Sequence, residues 1–420
     1  MELRRVVVTG VGALTPIGND VASFWQSLLT EVNGVNLITH FDASEYKTKF
    51  ACELKNFNIS KYLDSKEARK VDFCTQYAIA ASVEAMTDAG LCPGTYNPER
   101  AGVIVGTGIG GVTTTAYDIV DFAQAGCHPH FSPFFILKSL SNMVAGNLSI
   151  RFNLQGPSYV TSSACTSSAI AIADACNFIR TGQVDVMLAG GTEAGIVPVG
   201  IGGFNAMRAL STRNDDIYSA SRPFSKDRDG FVMGEGSGIL ILEDYEHAVN
   251  RGAKIYAELC SVGISSDAYH ITRPYEDGKG ARRAMELALQ WANVPPEKIG
   301  YVNTHGTSTP LGDIAECVAI RELFGEHAKK ILYNSTKSMT GHLMGAATAV
   351  EGIATILSLK MGVTHSTINW VRDPELPDWN FCACGPEECN TEYALCNGFG
   401  FGGHNVSILF KKFTEDSSRK

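Results

Sequence analysis

The stretch from Ser158 to Arg180 reads SYVTSSACTSSAIAIADACNFIR, a short strand that runs directly into a helix of small residues. From Ala164 to Ala175 this helix contains no bulky aromatic residue and is apolar on nearly every side, which is typical of a buried helix. Arg180 in the last turn and Gly182 just after it indicate where the helix ends. We therefore predict that the helix lies between two sheets, where small side chains let neighbouring backbones approach closely.

The predicted elements around this helix occur in nearly the same order in both halves of the chain. The first half contains a strand (RRVVVTGVG), a helix (Thr75–Gly90), two more strands, the central helix and the closing strands VDVMLAGG and ILILED. The second half contains the strand KIYAELCSVG, a helix (Ala281–Trp291) and the strands IGYVNTHGT and ILYNSTK. It then continues with a second small-residue helix, GAATAVEGIATILSL, and the strand VSILFKK. This alternation predicts an α/β fold of two similar halves, residues 1–253 and 254–413, with a tail at 414–420.

The composition restricts the classes of function that need to be considered. Hydrophobic residues make up 45% and charged residues 19% of 420 residues, and the formal net charge is −9, which argues against nonspecific binding of nucleic acid. The sequence predicts no membrane association, because no run approaches the roughly 18 apolar residues of a spanning helix, and no signal peptide. Twelve cysteines are scattered without a disulfide framework, so we expect reduced thiols in the cytoplasm.

Cys165 lies between the strand SYVTSSA and the start of the central helix. Unpaired backbone N–H groups and the positive end of the helix dipole at this position favour a thiolate, which is the nucleophilic form of cysteine. The alternative is a structural thiol, because free cysteines are commonly buried.

Two histidines and a lysine occupy loops of the second half. His305 follows the strand IGYVN, and His342 follows STKSMTG, with Lys337 five residues before it. The carboxyl ends of parallel strands are where α/β sheets bind ligands, so two histidines there favour a catalytic site over two separate structural groups.

The segment Gly398–Gly403 alternates glycine with Phe399 and Phe401. Glycines permit tight backbone paths and close approach to a ligand, so we expect a loop rather than a strand interior. Phe401 is then either a movable side chain or a core aromatic beside a turn.

Four segments that carry these groups resemble the catalytic loops of the elongating β-ketoacyl-[acyl-carrier-protein] synthases: SACTSSA, NTHGTSTPLGD, STKSMTGHLMGAA and NGFGFGGHN. The resemblance extends from RRVVVTGVGALTPIG to VSILFKK, and LSTRND and SRPFSKDRDGFVMGEG are more similar to the type II synthases than to type I. The family has the thiolase-like fold, a duplicated five-layer αβαβα arrangement, which agrees with the repeat. The resemblance therefore implies this fold, with two mixed, mostly parallel sheets.

The resemblance also implies an activity, the decarboxylative condensation of malonyl-carrier protein with an enzyme-bound acyl chain. Cys165 would hold the acyl chain as a thioester, and the backbone N–H groups of Cys165 and Phe401 would form an oxyanion hole. His305 and His342, as uncharged donors, would stabilise the enolate left by loss of carbon dioxide. Phe401 would also be the gate that opens for the acyl chain.

Further residues receive roles only through this resemblance. Lys337 and Glu351 would order the hydrogen-bond network around the site. Thr307 and Thr309 would contact the phosphopantetheine arm, and Ile109 would form a wall of the acyl pocket. No free cofactor and no metal ion is implied, since the substrates carry phosphopantetheine on acyl carrier protein.

The expected partners are acyl carrier protein and a second copy of the chain. The carrier is acidic, so a basic docking surface is expected, and four residues match docking positions: Lys66, Arg69, Lys70 and Arg208. A solvated helix face is the alternative for KEARK. CHPHFSPFF departs from relatives that carry basic residues before SPFF, and His404 stands where relatives often have Thr and receives no role.

Three other classes of function compete with this interpretation. Gly106–Gly111 fits the dinucleotide motif G-x-G-x-x-G, but TTTAYDIVDFAQAG after it predicts a helix and a loop without the required second strand. Zinc ligands are a second possibility, with unusual spacing: Cys382, Cys384, Cys389 and Cys396. A binding protein without catalysis is the third, and the presence of Cys165 with both histidines argues against it.

Overall fold

The computed structural model describes residues 3–414, and its ten longer strands form one mixed sheet. The strands are β1 (Val6–Leu14), β2 (Ala101–Gly106), β3 (Ser158–Thr161), β4 (Val186–Glu193), β5 (Gly236–Asp244), β6 (Ala257–Ser266), β7 (Ile299–Asn303), β8 (Leu332–Asn334), β9 (Tyr393–Gly400) and β10 (His404–Lys412). Their order across the sheet is β8-β7-β9-β10-β6-β1-β5-β4-β2-β3.

The sheet consists of two copies of one five-stranded pattern. The first half has the order β1-β5-β4-β2-β3, and the second half has the equivalent order β6-β10-β9-β7-β8. In each half the first two neighbouring pairs are antiparallel and the last two are parallel. Among the strands of residues 3–414, the two halves of the sheet are joined where Val6, Val7 and Val8 of β1 pair with β6. The duplication predicted from the sequence is therefore present in the strand topology.

The longer helices cover the sheet and fill the space between its halves. They are α1 (Val21–Leu29), α2 (Phe73–Asp88), α3 (Val112–Gln124), α4 (Met143–Phe152), α5 (Ser167–Arg180), α6 (Pro198–Ala206), α7 (Lys279–Ala292), α8 (Pro310–Phe324) and α9 (Ala347–Met361). Helices α5 and α9 contact each other and strands of both halves, whereas α2 packs on the outside of the first half and α7 on the outside of the second. This gives the five layers αβαβα. Within residues 3–414, no helix is both long and apolar enough to cross a membrane.

The middle layer depends on small residues, as predicted from the stretch around Cys165. Residues 347–359 of α9 are all buried, and so are most residues of α5. A Cβ atom on Gly238 of β5 would lie 2.7 Å from the backbone nitrogen of Val350, and one on Gly106 would lie 2.2 Å from the carbonyl carbon of Ser167. Both contacts are far shorter than van der Waals distance, so glycine is required where each strand crosses a central helix.

Two expectations are corrected by the strand pairing. Two mixed, mostly parallel sheets were expected, but the pairing of β1 with β6 joins the ten strands into one mixed sheet. This sheet is not mostly parallel, because each half also contains two antiparallel pairs. Strands such as β4 and β5 are buried on both faces, and such strands have the same hydrophobic pattern in either direction.

The segment Gly398–Gly403 is the second correction, because β9 continues through Gly400 and pairs with β10. A Cβ atom at Gly398 would lie 2.6 Å from Oγ1 of Thr348, so this position of the strand requires glycine. Only residues 401–403 form the turn. The division of the chain at residues 253 and 254 stays a prediction, and positions 415–420 of the predicted tail lie outside the described residues.

Candidate active site

Three side chains from distant parts of the sequence meet in the interior. The sulfur of Cys165 and one ring nitrogen each of His305 and His342 lie within 4.8 Å of one another. All three residues are buried. The two imidazole rings are nearly perpendicular, with centroids 5.5 Å apart. A cavity of about 380 Å³ reaches all three side chains. The arrangement therefore places a thiol beside two ring nitrogens in one cavity, a combination suited to nucleophilic chemistry.

The duplicated topology explains why these loops converge. Cys165 lies in a 3-10 turn (Ala164–Thr166) between β3 and α5. His342 follows a short helix after β8, the strand equivalent to β3, and precedes the equivalent turn before α9 (Met344–Ala346). His305 lies two residues beyond the end of β7. The two central helices thus begin next to each other, and their preceding loops form the site.

Cys165 is a thiol rather than a thiolate at neutral pH. Burial raises its pKa to about 11, although the charge of Lys337 and the backbone N–H of Phe401 act in the opposite direction. The sequence predicted a lowered pKa, because a helix N-terminus stabilises an anion. That prediction was wrong, since the cost of burying a charge exceeds the benefit of the helix start.

Both imidazoles are neutral. Burial, followed by the charge of Lys337, lowers the pKa of His305 and of His342 well below the usual range of histidine. Nδ1 of His342 accepts the backbone N–H of Met344 at 3.3 Å, which leaves the ring proton on Nε2. That Nε2 atom is buried and has no hydrogen-bond partner within residues 3–414, and neither has Nδ1 of His305. His342 therefore presents an unused N–H donor, and two uncharged rings match the expectation from sequence.

Lys337 is buried and forms an ion pair with Glu351 of α9. Burial raises the pKa of Glu351, while the charge of Lys337 acts in the opposite direction. The second carboxylate oxygen of Glu351 has no hydrogen-bond partner among the described residues. The ammonium group of Lys337 lies close enough to both histidines to lower their pKa values, which is one reason why they stay uncharged.

Two carboxylates that sequence reasoning missed hold the loop of His305. Glu316 accepts the backbone N–H groups of His305 and Gly306 at 2.9 and 2.8 Å. Asp313 accepts the backbone N–H of Thr307 at 3.0 Å. Burial raises the pKa of Glu316 to about 7 and that of Asp313 to about 6. The sequence signal for these two carboxylates was their spacing of three residues, which places both on one face of α8.

Glu193, at the end of β4, was also missed. Its buried carboxylate accepts the backbone N–H groups of Gly108, Ile109 and Gly345 at 2.7, 3.2 and 3.0 Å. It thereby ties the glycine stretch after β2 to the turn that follows His342. The amide groups of the supposed dinucleotide motif are occupied by this carboxylate, so they do not bind a pyrophosphate. The signal was an acidic residue inside the buried run VMLAGGTE.

Several other predicted residues lie at the same cavity. Thr307 and Thr309 line it, with their hydroxyl oxygens 2.9 Å apart. Phe401 and Arg208 also line it, and Arg208 is exposed at its edge. The turn that carries Phe401 is held by a hydrogen bond from the Gly402 N–H to the carbonyl of Ile271, 2.8 Å long.

The remaining predicted residues lie elsewhere. Ile109 does not line the cavity, and its side chain is 41% exposed in the single chain. Lys66, Arg69 and Lys70 are exposed on and next to a short helix and do not line the cavity either. His404 is exposed at the start of β10.

The four cysteines considered as zinc ligands do not form a group of metal-binding size in residues 3–414. Cys384 is exposed, whereas the other three are buried. The zinc interpretation therefore has no geometric support.

Comparisons with known proteins cover nearly the whole chain. Residues 3–248 match the family model for the N-terminal domain of β-ketoacyl synthases, and residues 256–371 match that for the C-terminal domain. The 3-oxoacyl-[acyl-carrier-protein] synthase 2 of Vibrio harveyi is 48% identical over 99% of this chain and 100% of its own length. The protein of the same name from Synechocystis sp. is 45% identical over 98% and 99%.

Solved structures of ketosynthases are similar as well. A β-ketoacyl synthase from Burkholderia phymatum superimposes with a TM-score of 0.90 at 33% identity, covering 98% of this chain and all of the other. A type II polyketide ketosynthase in complex with its acyl-carrier protein gives a TM-score of 0.91 at 33% identity, with the same coverage.

Proposed function

This chain belongs to the β-ketoacyl synthase family, and from that premise we propose how its buried side chains divide the work of the reaction. The protein is a 3-oxoacyl-[acyl-carrier-protein] synthase, an acyltransferase of fatty acid biosynthesis with the thiolase-like fold. It condenses malonyl-carrier protein with an enzyme-bound acyl chain. The observation that carries the assignment of roles is the convergence of the Cys165 sulfur and two neutral imidazoles within 4.8 Å.

Cys165 is the acyl acceptor. Its sulfur attacks the thioester carbonyl of the acyl-carrier protein, and the backbone N–H groups of Cys165 and Phe401 stabilise the oxyanion. The bond to Cys165 forms first and gives this oxyanion. The bond to the pantetheine sulfur then breaks as the carbonyl re-forms, and the thiol hydrogen ends on the departing pantetheine sulfur. A residue that rests as a neutral thiol suits this exchange, because the step needs no net uptake or release of a proton.

His305 and His342 act in the second half of the reaction. They hold the thioester oxygen of malonyl-carrier protein while the carboxylate leaves as carbon dioxide, and they stabilise the enolate that remains. The enolate carbon attacks the acyl–Cys165 carbonyl, and the Cys165 thiolate is released and takes up a proton. The product is a 3-oxoacyl chain two carbons longer. The charge of Lys337, whose ammonium group is paired with Glu351, helps to keep both rings neutral.

We further propose roles for residues around this site. Thr307 and Thr309 contact the pantetheine arm, while Lys66, Arg69, Lys70 and Arg208 dock the carrier. A homodimer is supported by large apolar side chains that are exposed in α3 and residues 131–140, and by the position of β3 at one edge of the sheet. Ile109 would form part of the acyl pocket in that dimer. The twelve free cysteines support a cytoplasmic location.

The most direct test is intact-mass measurement after mixing with acyl-carrier proteins of graded chain length. We expect a mass increase of one acyl group, located on Cys165 after digestion. The series also measures which chain lengths the pocket accepts. An acyl group on any other residue would contradict the assignment.

Replacement of Phe401 by alanine is expected to slow acyl transfer to Cys165 more than decarboxylation of malonyl-carrier protein. Phe401 lines the cavity and its backbone N–H contacts the Cys165 sulfur, so loss of the ring should disturb the turn that positions this N–H for acyl transfer, whereas decarboxylation takes place at the histidines. Measuring both half reactions on one variant provides the internal control. An unchanged rate of loading would rule out the gate.

The pH dependence of decarboxylation should reflect the neutral histidines. Since burial lowers both pKa values well below the ordinary value of about 6.5, the rings stay uncharged as pH falls through that value. We therefore expect no loss of decarboxylation rate that has its midpoint near pH 6.5, the ordinary pKa of about 6.5 for histidine. A loss at the ordinary histidine pKa would contradict the proposed protonation state.

A further inference from the structure

The charged side chains that line the active-site cavity differ in whether they already have partners. Asp229 accepts the backbone N–H of Thr212 at 3.0 Å, and Asp267 accepts the side-chain amide of Asn405 at 2.8 Å. Glu316 is occupied by the backbone of the His305 loop, as described above. The three carboxylates are therefore used within the protein.

The two arginines that line the same cavity have no partners within the described part of the chain. Arg208 and Arg273 line the cavity and are exposed, and neither guanidinium has a hydrogen bond or an ion pair within residues 3–414. The backbone of Arg208 adopts φ +56°, a conformation that residues other than glycine seldom adopt, just after α6. In a chain with net charge −9, this cavity thus contains two guanidinium groups without partners, whereas each of its three carboxylates already accepts a hydrogen bond.

We propose that Arg273 and Arg208 form a phosphate-binding subsite for the phosphodiester that joins the pantetheine arm to its carrier. This inference rests on the proposed function, because it assigns the arm to the cavity. The malonyl carboxylate reacts at the histidines, so the phosphodiester is the permanently charged group of the arm that remains for the arginines. A guanidinium matches the oxygens of a phosphate with two parallel N–H donors, which an ammonium group does not do. Arg273 received no role from the sequence.

The test compares three acyl donors with the same acyl chain: acyl-carrier protein, acyl-4′-phosphopantetheine and acyl-pantetheine. The measured quantity is the rate constant for acylation of Cys165, followed by intact mass. In Arg273→Ala, the ratio of the rate constants for acyl-4′-phosphopantetheine and acyl-pantetheine should fall by roughly 10- to 100-fold, as expected for loss of hydrogen bonds to a charged group. For Arg273→Lys the same ratio should lie between those of the wild type and of Arg273→Ala, because lysine keeps the charge but loses the paired donors.

Arg283→Ala is the matched control. Arg283 is exposed on α7 and does not line the cavity, so its removal changes the net charge equally and should leave the ratio as in the wild type. An equal loss with both small donors in Arg273→Ala would overturn the subsite and indicate a change in the cavity itself. A loss confined to acyl-carrier protein would also overturn it, in favour of a contact with the carrier surface. Failure of the wild type to be acylated by any donor would instead refute the proposed function.

Discussion

Replacement of Cys165 by alanine is expected to abolish elongation while decarboxylation of malonyl-carrier protein continues. The variant has no sulfur to accept the acyl chain, and removal of a catalytic nucleophile costs on the order of 10³-fold in rate or more. The two histidines remain uncharged in this variant, because their pKa values are set by burial and by Lys337 rather than by the thiol. The measurements are acyl transfer by intact mass and carbon dioxide release from malonyl-carrier protein.

A cysteine in the same helix provides the control for this variant. Cys176 is buried in α5, and burial raises its pKa to about 11, as for Cys165, but it does not line the cavity. Cys176→Ala should therefore keep both half reactions, apart from any loss of stability. If Cys165→Ala retained full elongation, another residue would have to carry the acyl chain.

Replacement of His342 by alanine is expected to slow decarboxylation by about 10²–10³-fold, the usual effect of removing one donor to a developing negative charge. The Nε2–H of His342 is buried and has no partner within residues 3–414, so its hydrogen bond is available to the enolate oxygen. Acylation of Cys165 should be affected much less, because its oxyanion is held by backbone N–H groups. The two half reactions are to be measured separately.

His342→Gln and His327→Ala make this prediction more specific. Glutamine places an uncharged N–H donor near the position of Nε2, so part of the lost rate should return. His327 contacts the carbonyl of Ile299 and does not line the cavity, and its removal should leave decarboxylation unchanged. If alanine and glutamine at position 342 were equally slow, an N–H donor would not be the contribution of His342.

The element order and the meeting of Cys165, His305 and His342 could be predicted because their signals are local. The strand and small-residue helix around Cys165, their repeat around Glu351 and the two histidine loops are each contained in a short stretch. The direction of β5 and β10 could not be predicted in this way. Both strands are almost wholly buried, and a strand buried on both faces has no alternation that distinguishes parallel from antiparallel pairing.

The energetics of the site depend on contacts between distant segments. The raised pKa of Cys165 results from burial that exists only when both halves are packed, so the helix start alone gave the wrong direction. Glu193 and Glu316 are acidic residues of the kind usually found at surfaces. Their role becomes visible only when backbone N–H groups from other loops are found around each carboxylate.

The duplication has a consequence for how many acyl groups one chain holds. Gly345 in the turn before α9 is the counterpart of Cys165 in the turn before α5, and Ala164 and Met344, which precede them, both have positive φ, 52° and 49°. A Cβ atom at Gly345 would lie 2.4 Å from the backbone nitrogen of Gly108 and 2.7 Å from Oε2 of Glu193. The counterpart position is therefore sealed against any side chain. Although the architecture offers two symmetry-related places for a nucleophile, only position 165 has a side chain, so we expect these two places to hold one thioester and not two.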